Sequence, residues 1–259
     1  MPRVAIVRSP GPALARCELT YLAREPIDVE KAEAQHIAYG AALREAGVDV
    51  RVLPAGDAWP DAAFVEDAAV VLDDLAIIAR PGSESRRGEV ATVAAELARR
   101  RRLREIEPPG TLDGGDVLVI DHRIFVGLSS RTNPSGFAQV AQIAGGHGYR
   151  TTAVPVAGCL HLKTAVTALD PSTLLINPDW LDAAAFSDFR QFRVSAGEPF
   201  AANTLTLDGL TWVSARWTRT RDMLEKKGFE TRPLDISEFE KAEAGLTCLS
   251  LVFEETEYS

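Results

Sequence analysis

The sequence predicts an α/β fold in which five ββαβ units of about 40–50 residues close into a pseudo-fivefold radial array. Three observations predict it. Paired apolar runs separated by turn residues recur along the chain, each pair followed by a helical pattern and one more strand. Asp67, Asp113, His161, Asn203 and Cys248 each stand at the entrance to a unit's first strand, at separations of 46, 48, 42 and 45 residues. The two chain ends both carry strand-like runs, and pairing them supplies a unit that would otherwise be incomplete. A single unit cannot bury its apolar face alone, so a set of them must stack or close.

The elements follow in order. "RVAIVR" is an N-terminal strand, "DVEKAEAQHIAYGAALREAG" a helix and "DVRVL" a strand. "AAVVL" and "LAIIA" form a hairpin across Asp73 and Asp74, with "ESRRGEVATVAAELARR" as helix and "LREIE" as strand. The basic run "RRRRLR" at 99–104 reads as a helix C-terminus that complements the macrodipole. "DVLVI" and "IFVG" form the next hairpin. Asn133 and Pro134 are read as N-cap and first residue of a helix that stops at glycines, before the strand "RTTAVPV". "KTAVTAL" and "TLLIN" pair next, followed by a short helix near 181–189 and "QFRVS". "NTLTL" and "LTWVS" flank Asp208–Gly209, the strongest hairpin turn of the set, and "TRDMLEKKG" and "ETRPL" complete that unit. The C-terminal "TCLSLVF" is left to pair with the N-terminal strand.

Composition narrows the function. At 259 residues and 46% hydrophobic, the chain can bury a large core, and one catalytic domain over residues 1–259 is expected. No apolar run approaches the ~20 residues that span a bilayer, and the N-terminus lacks a signal-peptide core, so a cytoplasmic location is the expectation. Net charge of −9 disfavours nucleic acid and anionic membranes and mildly favours a cationic small molecule. Three cysteines without ligand spacing argue against a disulfide framework and against structural zinc.

Pseudo-fivefold symmetry would bring two acids, an amide, an imidazole and the Cys248 thiol to one axis. A thiol within reach of a histidine suits nucleophilic catalysis. A lone free cysteine is otherwise most often a small buried hydrophobe. Asp61, Glu66, Asp67 and Asp113 crowd the same mouth, which suits a planar cation, and Gly114–Gly115 would allow close backbone approach. Arg86 and Arg131, on loops after the second strands of adjacent units, would clamp a carboxylate. Together they describe an arginine-like amino acid as ligand. His36, His122 and His147 read as structural. So do Cys17 and Cys159, although Cys159 is close enough to His161 to line the pocket's outer edge.

The motifs "FVED", "RPGSESRRGE", "PGTLDGGDVL", "SSRTN", "HLKTAVTAL" and "TCLSLVF", in this order, resemble the dimethylarginine dimethylaminohydrolase family. The resemblance runs from "VRSP" to Phe253. It implies a five-bladed α/β-propeller that hydrolyses Nω-methylated arginines to citrulline and a methylamine without cofactor. It also implies Cys248 as nucleophile, His161 as proton-transfer group and Asp113 as the acid orienting it; some relatives carry glutamate at this last position. Guanidinium and amino-group contacts would fall to Asp61, Glu66 and Asp67, and carboxylate contacts to Arg86 and Arg131. Backbone contacts would come from Leu19 and Ala242. The expected partner is a small-molecule substrate, with a homodimer left open and no metal. The rival readings are an arginine deiminase or amidinotransferase, which typically carry added segments, and a catalytically silent propeller that binds a partner.

Overall fold

A computed structural model describes residues 2–255. In chain order the strands and α-helices are β1 (Arg3–Arg8), α1 (Val29–Glu45), β2 (Val48–Leu53), β3 (Ala69–Val71), β4 (Leu75–Ile78), α2 (Val90–Leu97) and β5 (Arg102–Glu105). The chain continues through β6 (Val117–Ile120), β7 (Arg123–Leu128), α3 (Pro134–Gly145), β8 (Arg150–Pro155), α4 (Leu162–Ala165), β9 (Val166–Asp170), β10 (Thr173–Ile176) and β11 (Arg190–Arg193). It ends with β12 (Leu205–Leu207), β13 (Leu210–Ser214), α5 (Thr218–Lys226), β14 (Glu230–Leu234), α6 (Ser237–Glu240) and β15 (Leu251–Glu254).

These strands form five three-stranded sheets of one design. In each, the middle strand pairs antiparallel with the strand before it and parallel with the strand after the crossover. β7, for example, meets β6 with Val117 opposite Val126 and meets β8 with Arg123 opposite Arg150. The fifth sheet is built from both chain ends: β15 pairs antiparallel with β1, Ile6 opposite Leu251, and β2 lies parallel to β1 on the other side. The fold is a five-bladed α/β-propeller.

Why the middle strands are apolar throughout follows from the arrangement of blades. Successive side chains of a strand point to opposite faces, and each face here meets a different neighbouring blade. Val4 and Ile6 therefore pack with Ala76 and Ile78 of the next blade, while Ala5 and Val7 pack with Trp212 of the preceding one. Likewise Ile124 and Val126 join the core against β4, and Phe125 joins that against β10. Leu169, Leu175 and Val213 form the remaining junction. Five apolar clusters at five junctions complete the ring.

Local signals explain the helices. The Asp28 side chain accepts the backbone N–H of Lys31 at 3.0 Å and caps α1, a contact worth about 1 kcal/mol. Asn133 does the same for α3, accepting from Gly136 at 2.8 Å, with Pro134 at the first helical position. Asp208 and Gly209 both adopt positive φ, as a tight hairpin turn requires.

Three expectations change. The segment near 181–189 forms only a 3-10 turn, Ala183–Phe186, whose Phe186 ring packs 4.6 Å from Phe125. Four residues are too few to sustain an α-helix without tertiary support. The expected helix from Glu84 is a 3-10 turn as far as Glu89, because Arg86 is drawn inward and Gly88 packs against the Trp59 ring. The basic run is only partly a helix end. Arg102 to Arg104 lie in β5, and buried Arg101 donates to Leu72 O at 3.0 Å and stacks over Phe253.

Candidate active site

Short helical turns precede the first strand of several blades: Val65–Ala68, Gly114–Asp116, α4 and Thr247–Leu249. Asp67 and Cys248 lie within such turns, and Asp113 and His161 are the residues immediately before them. Each turn lifts a side chain out of the sheet at the same end of the propeller. Asp67, His161 and Cys248 line one small cavity, together with Asp61, Arg86 and Arg131. Asp113 sits behind them, wholly buried.

Asn203 plays a different part. Its amide donates to Lys163 O and Thr247 Oγ1, both at 3.0 Å, and accepts the Thr247 N–H, so it ties two blades together and does not line this cavity.

The imidazole of His161 is held on two sides. Nε2 is 3.2 Å from Asp113 Oδ2, and Nδ1 is 3.8 Å from Asp67 Oδ1. Burial would lower the imidazole pKa, but Asp67 and then Asp113 outweigh it and raise it to about 9. At neutral pH both ring nitrogens therefore carry protons. Asp67 moves the opposite way, to about 2: burial would raise it, and His161 and Arg86 override burial. Its Oδ1 also accepts the Gly115 N–H at 2.9 Å. A Cβ on Gly115 would come within 2.6 Å of His161 Nδ1 and 2.7 Å of Asp67 Oδ1, so the close approach expected of this glycine pair is real.

Cys248 is 8% exposed, and its sulfur accepts the Gly245 N–H at 3.3 Å. Burial, then Glu66 and Asp67, push the thiol pKa well up. The tyrosine of α1, Tyr39, donates to Leu246 O at 3.0 Å and meets Ser250 Oγ at 2.7 Å, bracketing the turn that presents the thiol.

Two expected ligand contacts are occupied within the protein. Glu66 does not line the cavity of Cys248. Its carboxylate pairs with Lys163 Nζ at 2.6 Å and accepts Thr247 Oγ1 at 2.8 Å, facing a cavity of about 380 Å³ ringed by β3, β6, β9, β12 and β15. Neighbouring residues of one turn point to different sides, so Glu66 and Asp67 separate. Arg86 lines the site, yet its donors serve acids: Nη1 reaches Asp67 Oδ2 at 2.7 Å, and Nε and Nη2 reach Glu89 Oε2 at 3.1 and 3.0 Å. Of the expected pair, Arg131 is the guanidinium less committed to buried acids; its partner Glu18 is 35% exposed, at 3.4 Å. Ala242 lines the cavity, whereas Leu19 packs against the core beneath α1. Cys159 is buried in the core and donates to His161 O, so it does not reach the pocket edge.

Sequence reasoning missed Asp116, Lys163, Glu89, Glu18 and Glu243. Asp116 accepts Leu162 N at 2.9 Å and Ser129 Oγ at 2.6 Å, fixing the loop that carries His161. Only its place in "LDGGD" offered a signal. Asp67, Asp113 and His161 also present one ligand atom each within 4.8 Å of one another. The Arg86 guanidinium, 2.7 Å from Asp67 and 3.9 Å from Asp113, already supplies the positive charge there.

Fold and site together define a hydrolase built on a five-bladed α/β-propeller. A profile described as "N,N dimethylarginine dimethylhydrolase, eukaryotic" matches residues 22–185. The chain belongs to the dimethylarginine dimethylaminohydrolase family. It is 40% identical over 249 residues to the enzyme of that name from Streptomyces coelicolor, covering 95% of both chains. With its counterpart from Pseudomonas aeruginosa it shares 35% over 228 residues, 87% of this chain and 90% of the relative. A solved structure of the Pseudomonas aeruginosa protein, a Cys-to-Ser mutant complexed with citrulline, superposes with a TM-score of 0.91 at 33% identity, covering 98% of this chain and 100% of that one. The N-terminal domain of a cyanobacterial arginine dihydrolase shares the fold at 18% identity and a TM-score of 0.86, covering 98% of both chains. Among the described residues no helix is long and apolar enough to cross a membrane.

Proposed function

We propose that the chain hydrolyses Nω-methylated L-arginine to L-citrulline and a methylamine, with Cys248 as nucleophile and His161 as proton-transfer group, the whole chain acting as one catalytic unit. One observation carries this reading: a thiol and an imidazole held between Asp113 and Asp67 line the same small cavity, with carboxylates at Asp61 and Asp67 and a guanidinium at Arg131. The relatives named for dimethylarginine hydrolysis, and the neighbour holding citrulline, support the choice of substrate class.

The residues divide the chemistry between them. Asp67 attracts the guanidinium, Asp61 the α-ammonium and Arg131 the α-carboxylate. The bound cation lies beside the thiol and lowers a pKa that the protein alone holds high, so the substrate arms its own nucleophile. The thiol releases its proton to solvent as the cation binds, and the thiolate attacks the central guanidinium carbon. His161 protonates the departing amine as the C–N bond breaks, leaving a covalent thiouronium. Neutral His161 then takes a proton from water, which adds to the same carbon, and the sulfur leaves as citrulline forms. Asp113 holds the ring in line for both transfers.

Citrulline formation from arginine, monomethylarginine and asymmetric dimethylarginine, assayed side by side, tests the reading. Turnover of the methylated substrates in excess of arginine is expected. Preference for arginine would favour a deiminase, and no turnover of any of the three would favour a silent binding propeller.

A further inference from the structure

Glu18 lines the Cys248 cavity at the start of a segment, residues 18–22, that is pinned to the cavity walls. Its backbone N–H donates to both oxygens of Asp61, at 3.3 and 3.2 Å. Its carboxylate lies 3.4 Å from Arg131 Nη1 and accepts from Ser83 Oγ at 2.8 Å and from Ser85 Oγ. A single residue thus presents an N–H to Asp61 and a carboxylate to Arg131, as the head group of an α-amino acid would. Burial works against its ionisation, but Ser85, Ser83 and Arg131 keep its pKa below the ordinary value.

The rest of the segment is fastened by Glu243, a non-glycine residue at φ +60 that also lines the cavity. Its carboxylate accepts three successive backbone N–H groups: Thr20 at 3.0 Å, and Tyr21 and Leu22 at 2.5 Å. Consecutive N–H groups converging on one carboxylate form an anion-binding nest. With the segment in place the cavity measures about 10 Å³, room for a water and not for an arginine. Entry of a substrate the size of arginine therefore requires a wall to move, and the segment carrying Glu18 is held by side-chain contacts that lie at the exposed surface. After entry, an α-carboxylate on Arg131 excludes Glu18 from its seat. A guanidine lacking that group leaves the seat free for Glu18 to return.

We propose that Glu18 is a specificity-determining residue, an internal occupant of the Arg131 seat that an α-carboxylate must displace and that a guanidine without one retains. The proposal rests on the assignment of Asp61 and Arg131 to the substrate head group. It follows that Glu18 weakens the binding of true amino-acid substrates and supports that of decarboxylated ones.

The test is Glu18→Gln, which keeps the side-chain shape and removes the charge, assayed with methylarginine and with its decarboxylated counterpart. For methylarginine, KM should fall roughly three- to tenfold with kcat unchanged, because Glu18 does not touch the reacting atoms. For the decarboxylated amine, KM should stay level or rise. Equal factors on both substrates would reduce the segment to a plain lid and overturn the proposal, as would a higher KM for methylarginine, which would make Glu18 a contact in the bound state. Amide hydrogen exchange supplies a readout that needs no ligand: Thr20, Tyr21 and Leu22 should exchange faster in the variant, and unchanged exchange also overturns the proposal. Failure of the functional reading looks different: wild-type protein would then make no citrulline, whatever the exchange shows.

Discussion

His161 Nε2 lies 3.2 Å from Asp113 Oδ2, a contact between two blades whose carboxylate has no exposure to solvent. Against burial, Asp67 first and then this contact hold the imidazolium protonated up to about pH 9. Because the folded pKa is raised above the ordinary 6.5, the stability it contributes is fully present below about 6.5 and is lost as pH rises through about 9. In the proposed mechanism the leaving amine takes the other ring proton, on Nδ1, while Nε2 stays on Asp113.

Asp113→Asn should therefore pull the alkaline limb of the kcat/KM profile to lower pH than in wild type, and lower kcat by roughly 10- to 100-fold. A pH–rate series over the neutral to alkaline range checks it. An unmoved limb would mean that Asp113 does not set the His161 pKa.

Free Cys248 should be a neutral thiol at pH 7, since burial and the nearby acids oppose its ionisation. Thiolate absorbance near the ultraviolet edge, followed against pH, should rise only on the alkaline side of an ordinary cysteine. Occupancy by a guanidinium ligand should shift the curve to lower pH. Cys248→Ser, nearly equal in volume, should keep the unfolding midpoint within about 0.5 kcal/mol of wild type yet abolish turnover.

Gly115→Ala is expected to damage the site more than the fold. The added methyl would meet His161 Nδ1 and Asp67 Oδ1 at 2.6 and 2.7 Å, so these side chains must separate. Turnover should drop by at least about 100-fold, because misplacement by an ångström carries that cost. Circular dichroism should stay that of the wild type. Near-normal kcat would show that the pair has slack to absorb a methyl group.

Lys163→Met would leave Glu66 buried without its cation. Lys163 and Glu66 side chains are 14% and 8% exposed, so screening by solvent is limited. We expect a loss of about 3 kcal/mol in denaturant-midpoint measurements, partly recovered by adding Glu66→Gln, which removes the stranded charge. Failure of the second change to recover stability would mean that the pair contributes through packing alone.

The sequence by itself determined the blades. Paired apolar runs, the Asn133–Pro134 helix start and the Asp208–Gly209 turn are local signals, encoded within a few residues of where they act, and the structure reproduces them. Spacing also pointed to Asp67, His161 and Cys248, which line one cavity, and to Asp113 behind them, but the fifth equivalent position, Asn203, ties two blades together instead. Tertiary structure alone decided which way each side chain went. Glu66 and Asp67 are adjacent in one turn, yet one is taken by Lys163 and the other faces Cys248. Arg86 was legible as a guanidinium near the mouth, but not as the partner of Asp67 and Glu89. Nor does any local pattern mark Glu18, which meets Arg131 across 113 residues of chain. A buried charge takes whichever partner closes the largest desolvation debt; for Arg86 that partner lies within its own blade, whereas Glu66 and Arg131 find theirs far along the chain, at separations that no periodicity records.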